Sequence, residues 1–311
     1  MLLRTYTKDI AAGYDGLSEV LTYDHHDKPK SFFGMLRELK LGHYDLAIVA
    51  FPRFRISLLL FLAGIPTRVG TGYRWYSFLF NRRVFEHRKT GERHESEYNV
   101  GLLKPLGVMD KRPPRPHLTV LEEDKLAALG VMHEIGIQQG EPLVILHPGS
   151  GGSARDWRSV NFGRLANALN NEGYKVVVTG GPGENEIVNH VVEHSEGKSM
   201  AVVNRFNLRQ LAAFISKADL FVSNSTGPLH IAAAVGTPVI GFYPDIPACS
   251  ERRWGPLSGR KKVFTPDRAK CPLCKGGGCR SDVCMDQIEV TDVVDAAHEL
   301  LGTPKPIAVG A

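Results

Sequence analysis

The sequence predicts an α/β protein built from two doubly wound domains in tandem. Short, β-branched, fully apolar segments alternate with helical ones through the second half, as a parallel sheet covered on both faces requires. The first half alternates in the same way, less cleanly. At 311 residues the chain also exceeds the roughly 150 to 250 residues at which a single hydrophobic core stops growing.

In the first half, strands are expected at 2–5, 19–22, 46–50 and 67–69. A Pro-rich stretch, Arg112 to Pro116, cannot continue a helix, and a polar helix is expected from Glu122, so the hinge is placed near residues 110–140. The domains are expected over 1–125 and 126–311. In the second half, an apolar strand at 143–146 opens the pattern and a Gly-rich turn follows it. Then come a helix over 162–171, a strand at 175–179, a second Gly-rich turn, a helix near 184–194 and a strand at 201–203. The pattern continues with a helix over 208–218, a strand at 220–222, a helix over 227–235 and a strand at 239–242. Ligands of such a domain belong at the carboxyl ends of its strands.

A composition of 43% apolar and 23% charged residues excludes disordered, coiled-coil, collagenous and disulfide-scaffold classes. The most apolar stretch, residues 56–65, is about half the roughly 20 residues of a spanning helix, and no basic-then-apolar leader is seen. The expected location is the cytoplasm, where five cysteines serve as thiols or metal ligands more readily than as disulfides.

Charge is unevenly placed. Residues 1–120 hold 19 Lys/Arg against 12 Asp/Glu, a net +7, while the remainder holds 19 against 21, a net −2. Most of the excess falls in residues 51–90, where Arg53, Arg55, Arg68, Arg74, Arg82, Arg83, Arg88 and Lys89 face only Glu86. A solvated face is one reading. The other is an anion-binding surface, because arginine forks suit phosphate and carboxylate. Duplex nucleic acid is disfavoured, since no helix-turn-helix, zinc finger or stacking pattern accompanies the charge.

Three turns at strand ends are suited to anions. The first, His147 to Ser153, frees backbone N–H groups, and Arg155 lies close enough to add charge. The second, Thr179 to Glu184, offers the Glu184 carboxylate to ribose hydroxyls; a Glu that opens a helix and complements its dipole is an equally good account. The third, Asn224 to His230, joins a strand to an Ala-rich helix, with Ser225 or Thr226 as N-cap and Pro228 in the first turn.

In this order and spacing the three turns closely resemble the nucleotide domain of the ADP-heptose:lipopolysaccharide heptosyltransferases, the glycosyltransferases of family 9. The motifs are HPGS at 147–150, DW at 156–157, GYKVVVTGGPGE at 173–184 and DLFVSNSTGPLHIAAAVGTPVIGFY at 219–243. Weaker echoes are AGIPTRVG at 63–70, HESEYNVGLLKPLGV at 94–108 and RWGP at 253–256. The resemblance implies a GT-B fold, two Rossmann-like domains facing a central cleft, with the nucleotide sugar bound by the second. It places diphosphate contacts on Ser150, Gly151, Arg155, Thr226 and Gly227, ribose on Glu184, and further donor contacts on Ser225 and His230. Where many members have Asp, this chain has Ser225, which bears on donor identity. An anionic glycolipid acceptor would fall to Arg53, Arg55 and Arg74.

The reaction implied is an inverting sugar transfer that needs no metal and no cofactor, in which Arg, helix N-termini and amides stabilise the departing diphosphate. It also needs a general base. The family's base resembles an Asp in a Gly-Asp turn after a first strand that would precede residues 2–5. Asp9 and Asp15 lie outside that context, so the first domain is expected to be incomplete at its N-terminus. The expected function is heptosyl transfer to a lipopolysaccharide core or related glycan, with association at the inner face of the membrane. The rivals are a UDP-sugar transferase or epimerase and a non-catalytic nucleotide-binding protein. Cys271, Cys274, Cys279 and Cys284 could close a structural zinc site; a disulfide or plain thiols, as in the Cys-rich C-terminal loop of many family members, are the alternatives.

Overall fold

In a computed structural model, residues 1–25, 27–109, 115–152, 155–270 and 282–302 are described. The chain divides into two units, Met1–Pro114 and Arg115–Ala311. The helix Glu122–Glu134 lies wholly in the second, its buried Asp124 accepting from Arg209 Nη2 at 3.1 Å. The division therefore falls ahead of that helix, where a boundary at 125 would cut it.

The first unit is assembled from short parallel pairs. Strand β1 (Leu2–Leu3) pairs in parallel with β2 (Leu21–Thr22), and β3 (Asp24–His25) forms an antiparallel hairpin with β4 (Lys28–Pro29). The strands β5 (Leu46–Ile48), β6 (Thr67–Thr71) and β7 (Arg82–Val84) make a parallel sheet in that order. The helices Phe32–Leu41 and Phe54–Leu62 supply Met35, Leu39, Leu59 and Leu60 to a core shared with Leu21, Val49 and Phe80. The apolar run 56–65 is thus most of a helix and the turn that ends it, and Gly64 (φ +80°) reverses the chain. Among the described residues β5 bonds only β6, and its face carrying Leu46 and Ile48 is open to solvent.

The second unit is a six-stranded, all-parallel sheet. Its strands are β8 (Leu143–His147), β9 (Lys175–Gly180), β10 (Met200–Val203), β11 (Leu220–Asn224), β12 (Val239–Phe242) and β13 (Lys261–Phe264). Their order, β10-β9-β8-β11-β12-β13, is the dinucleotide-fold order in which the direction of winding reverses between the first and fourth strands. Every residue of β8 and β11 is buried, so helices must cover both faces. On one face Trp157 stacks on Phe242 (ring centroids 4.3 Å apart) and meets Phe162 edge-on at 5.0 Å. The helix Val290–Leu301, which the sequence reading did not place, buries Val293, Ala296 and Ala297 in the same core. No helix among the described residues is long and apolar enough to cross a membrane.

Candidate functional site

Three turns leave the carboxyl ends of β8, β9 and β11, and β8 and β11 are the neighbours at the point of reversal, where ligands of such sheets bind. The first turn is fixed by its own polar groups. Ser150 Oγ donates to Asp156 Oδ2 at 3.0 Å and accepts from the Gly152 N–H at 3.2 Å, so the hydroxyl is committed to shaping the loop. Gly151 has φ +59°, which a residue with a side chain rarely adopts.

Side chains from the other two turns hold the first in place. Asn224, fully buried at the end of β11, donates from Nδ2 to the Pro148 carbonyl at 2.8 Å and accepts from the Trp157 N–H at Oδ1, also at 2.8 Å. Glu184 reaches over from the second turn. Its Oε2 accepts from the Gly181 N–H at 2.7 Å, and its carboxylate lies so close to Gly149 that a Cβ there would stand 2.0 Å from Oε1. Glu184 occupies the N-cap position of the helix Asn185–His194, as the helix-opening account of this residue expects.

Beneath the turns, His147 closes β8. Its Nδ1 lies 3.0 Å from Thr179 Oγ1, which itself donates to the Leu146 carbonyl, so the imidazole is the donor of that pair. Its Nε2 is 3.8 Å from Glu184 Oε2. Burial pushes the imidazole down to about 4, outweighing the opposing pull of the Glu184 charge. At pH 7 it is a neutral bridge between β8 and β9.

The third turn delivers a helix N-terminus. Thr226 is the N-cap residue of Gly227–Val235, with Pro228 in the first turn, and its side chain makes no capping bond. Ser225 sits beside Tyr243, whose phenol is pushed up by burial against an opposing hydrogen bond from Ser225. His230 is half-buried on the same helix. Arg155, half-buried, donates from Nη1 to Cys284 Sγ at 3.3 Å, and Cys284 packs in the main core. Cys271, Cys274 and Cys279 lie outside the described residues; among those described, no group of three or more His, Cys, Asp or Glu is placed to hold a metal ion.

The arginines of 51–90 separate into two sets. Arg55 is turned inward: Nη2 donates to the Lys30 carbonyl, and the guanidinium lies 5.2 Å from the Tyr23 ring centroid. Arg68 donates to the Leu79 carbonyl at 2.8 Å, Arg83 to the Phe80 carbonyl at 3.1 Å, and Arg88 pairs with Glu95. Arg53, Arg74 and Arg82 are exposed, as is Arg83 despite its carbonyl bond. Of the three expected acceptor residues, Arg53 and Arg74 therefore face solvent, while Arg55 braces the fold.

Sequence reasoning assigns no task to Asn224, Thr179 or Asp156. Nothing distinguishes Asn224 from a turn-forming Asn except its position as the last residue of a buried strand.

Comparison with known proteins bears on the whole chain. The family described as glycosyltransferase family 9 (heptosyltransferase) matches residues 33–283. A protein of Haemophilus influenzae named as a glycosyltransferase is 28% identical over 278 residues, 86% of this chain and 80% of the relative. Lipopolysaccharide heptosyltransferase 3 of Escherichia coli is 25% identical over 281 residues, 88% of this chain and 80% of the relative. Among solved structures, a family 9 glycosyl transferase from Veillonella parvula superposes with TM-score 0.82 at 24% identity, covering 96% of this chain and 87% of that one. The E. coli ADP-heptose lps heptosyltransferase II follows at 0.75 and 18%, covering 96% and 88%. These likenesses bear out the expected α/β fold of GT-B type.

Proposed function

This chain belongs to glycosyltransferase family 9 and is a glycosyltransferase, and from that premise we propose that it moves a heptosyl group from ADP-heptose to a lipopolysaccharide core or a related anionic glycan. The observation that carries the donor half is the bracing of three carboxyl-end turns against one another by Asn224 and Glu184. The first turn and the uncapped N-terminus of Gly227–Val235 offer backbone N–H groups to a diphosphate, and the helix dipole favours its charge.

In the step proposed, an acceptor hydroxyl attacks the anomeric carbon as the bond to the diphosphate oxygen breaks. The hydroxyl proton passes to a base, and the electron pair leaves on the nucleotide. Arg155, the Ser150–Gly151 backbone and the Thr226–Gly227 turn stabilise the charge that develops on the leaving group. Ser225 and His230 flank the donor sugar, and Glu184 serves the ribose with what its bond to Gly181 leaves available. Arg53 and Arg74 hold the acceptor's anionic groups. An acceptor carried on a lipid would bring the reaction to a membrane surface.

The test is calorimetric titration with ADP, UDP and GDP. ADP should bind most tightly, and Arg155→Ala should weaken it about tenfold or more, as loss of a charged hydrogen bond does. Tightest binding of UDP would transfer the enzyme to UDP-sugar chemistry. Unchanged ADP affinity in Arg155→Ala would remove that residue from the site.

A further inference from the structure

The carboxyl ends of β5 and β6 carry aromatic rings that the first unit's core does not use. Phe51 and Phe54 follow β5, and Tyr73 and Trp75 follow β6, so all four leave neighbouring parallel strands at the end where such sheets take ligands. Trp75 is 72% exposed and Phe54 41%. Each buried Å² of apolar surface contributes about 25 cal/mol, so an indole this open leaves a large share of its burial unrealised.

The pair is nonetheless held still. Tyr76 is buried, its hydroxyl donating to the Pro52 carbonyl at 3.0 Å. Phe54 meets the Tyr76 ring edge-on with centroids 5.8 Å apart, and Trp75 meets it at 5.4 Å and 89°. Phe54 and Trp75 lie 4.7 Å apart, tilted by 31°. A buried, hydrogen-bonded tyrosine therefore fixes two rings whose outer surfaces remain open.

Charge surrounds them. Arg53 precedes Phe54 and sits 4.7 Å over the Phe51 ring, and exposed Arg74 precedes Trp75. The one acidic residue of 51–90, Glu86, is taken up by Arg93 at 3.2 Å and Lys104 at 2.9 Å. The region is left with cationic forks beside rigid π faces.

We propose that Trp75 and Phe54 form a stacking platform for a sugar ring of the acceptor, and that Arg53 and Arg74 grip anionic substituents on that ring. A pyranose presents a face of C–H bonds with partial positive charge, which complements the negative face of an aromatic ring. Its hydroxyls and any phosphate or carboxylate project from the rim, within reach of guanidinium forks. The inference rests on the acceptor being an anionic glycan, as proposed above, and adds the residues that select it.

The experiment uses the full chain and de-acylated lipopolysaccharide core oligosaccharide as probe. Calorimetry should show saturable binding that weakens about tenfold or more in Trp75→Leu, much less in Trp75→Tyr, and depends less steeply on salt in Arg74→Gln. ADP affinity should stay constant in all three, reporting an intact second unit. Equal oligosaccharide binding by wild type and Trp75→Leu overturns the platform while leaving the glycan acceptor standing. Wild type that ignores the oligosaccharide but sediments with vesicles containing phosphatidylglycerol overturns both the platform and the acceptor reading, and makes the rings a bilayer-facing surface. Weakened oligosaccharide binding in a protein that transfers no heptose from ADP-heptose upholds the platform and rejects the donor.

Discussion

Burial holds the His147 imidazole down to about 4 although a carboxylate lies 3.8 Å from its Nε2. The folded protein thus binds fewer protons than the unfolded chain between about pH 6.5 and 4, and stability falls as pH drops through that window. At pH 5 this one group should cost about 2 kcal/mol relative to pH 7. Urea unfolding at the two pH values should show wild type losing about that much more stability than His147→Gln; equal losses would assign the imidazole an ordinary affinity for protons. At this scale the sequence was only partly legible. The HPGS and STGP turns advertise themselves through Gly and Pro, whose backbone preferences are intrinsic. The partners that hold them, Asn224, Asp156 and Thr179, are defined by contacts across as many as 76 residues of chain. Arg53 and Arg55 are two residues apart and indistinguishable by composition, and it is the placement of the Lys30 carbonyl and of the Tyr23 and Phe32 rings that turns Arg55 inward.

Legibility of the elements follows their place in the sheets. Central strands such as β8 and β11 are buried on both faces and read as unbroken apolar runs, so their existence was plain from sequence. The edge strands β7 (Arg-Arg-Val) and β13 (Lys-Lys-Val-Phe) carry the cations that edges ordinarily bear, and the same cations hide them from a reading based on hydrophobicity. The helix Gly227–Val235, announced by Pro228 in its first turn and ended by Gly236 (φ +89°), was placed to the residue. The turn after β8 depends on a close approach at a glycine. Gly149→Ala would drive its Cβ into the Glu184 carboxylate, and a cost of about 1 to 3 kcal/mol with weaker ADP binding is expected. Adding Glu184→Ala should return much of the lost stability, a coupling that a double-mutant cycle measures directly. Additive losses would mean that the two turns do not bear on each other.

Across the whole molecule the two units differ in charge and in finish. Most of the positive excess belongs to the first unit, where Arg55, Arg68, Arg83 and Arg88 brace backbone carbonyls while Arg53, Arg74 and Arg82 face solvent. The second unit seals both faces of its central strands. The first does not, since Leu46 and Ile48 of β5 stand 43% and 41% exposed beside a ladder bonded on one side among the described residues. A strand with a bare apolar face and unpaired amides is a template, and a neighbouring copy that finds it can extend the sheet from molecule to molecule. Net repulsion between like-charged first units opposes that meeting at low ionic strength and is screened as salt rises, over about 10 Å at 0.1 M. Light scattering on warming should therefore begin earlier in high salt and later in Ile48→Lys; onset indifferent to both would clear β5. The open strand makes colloidal behaviour a matter of concentration and salt, so the shelf life of a solution of this enzyme is written in three residues of its first unit.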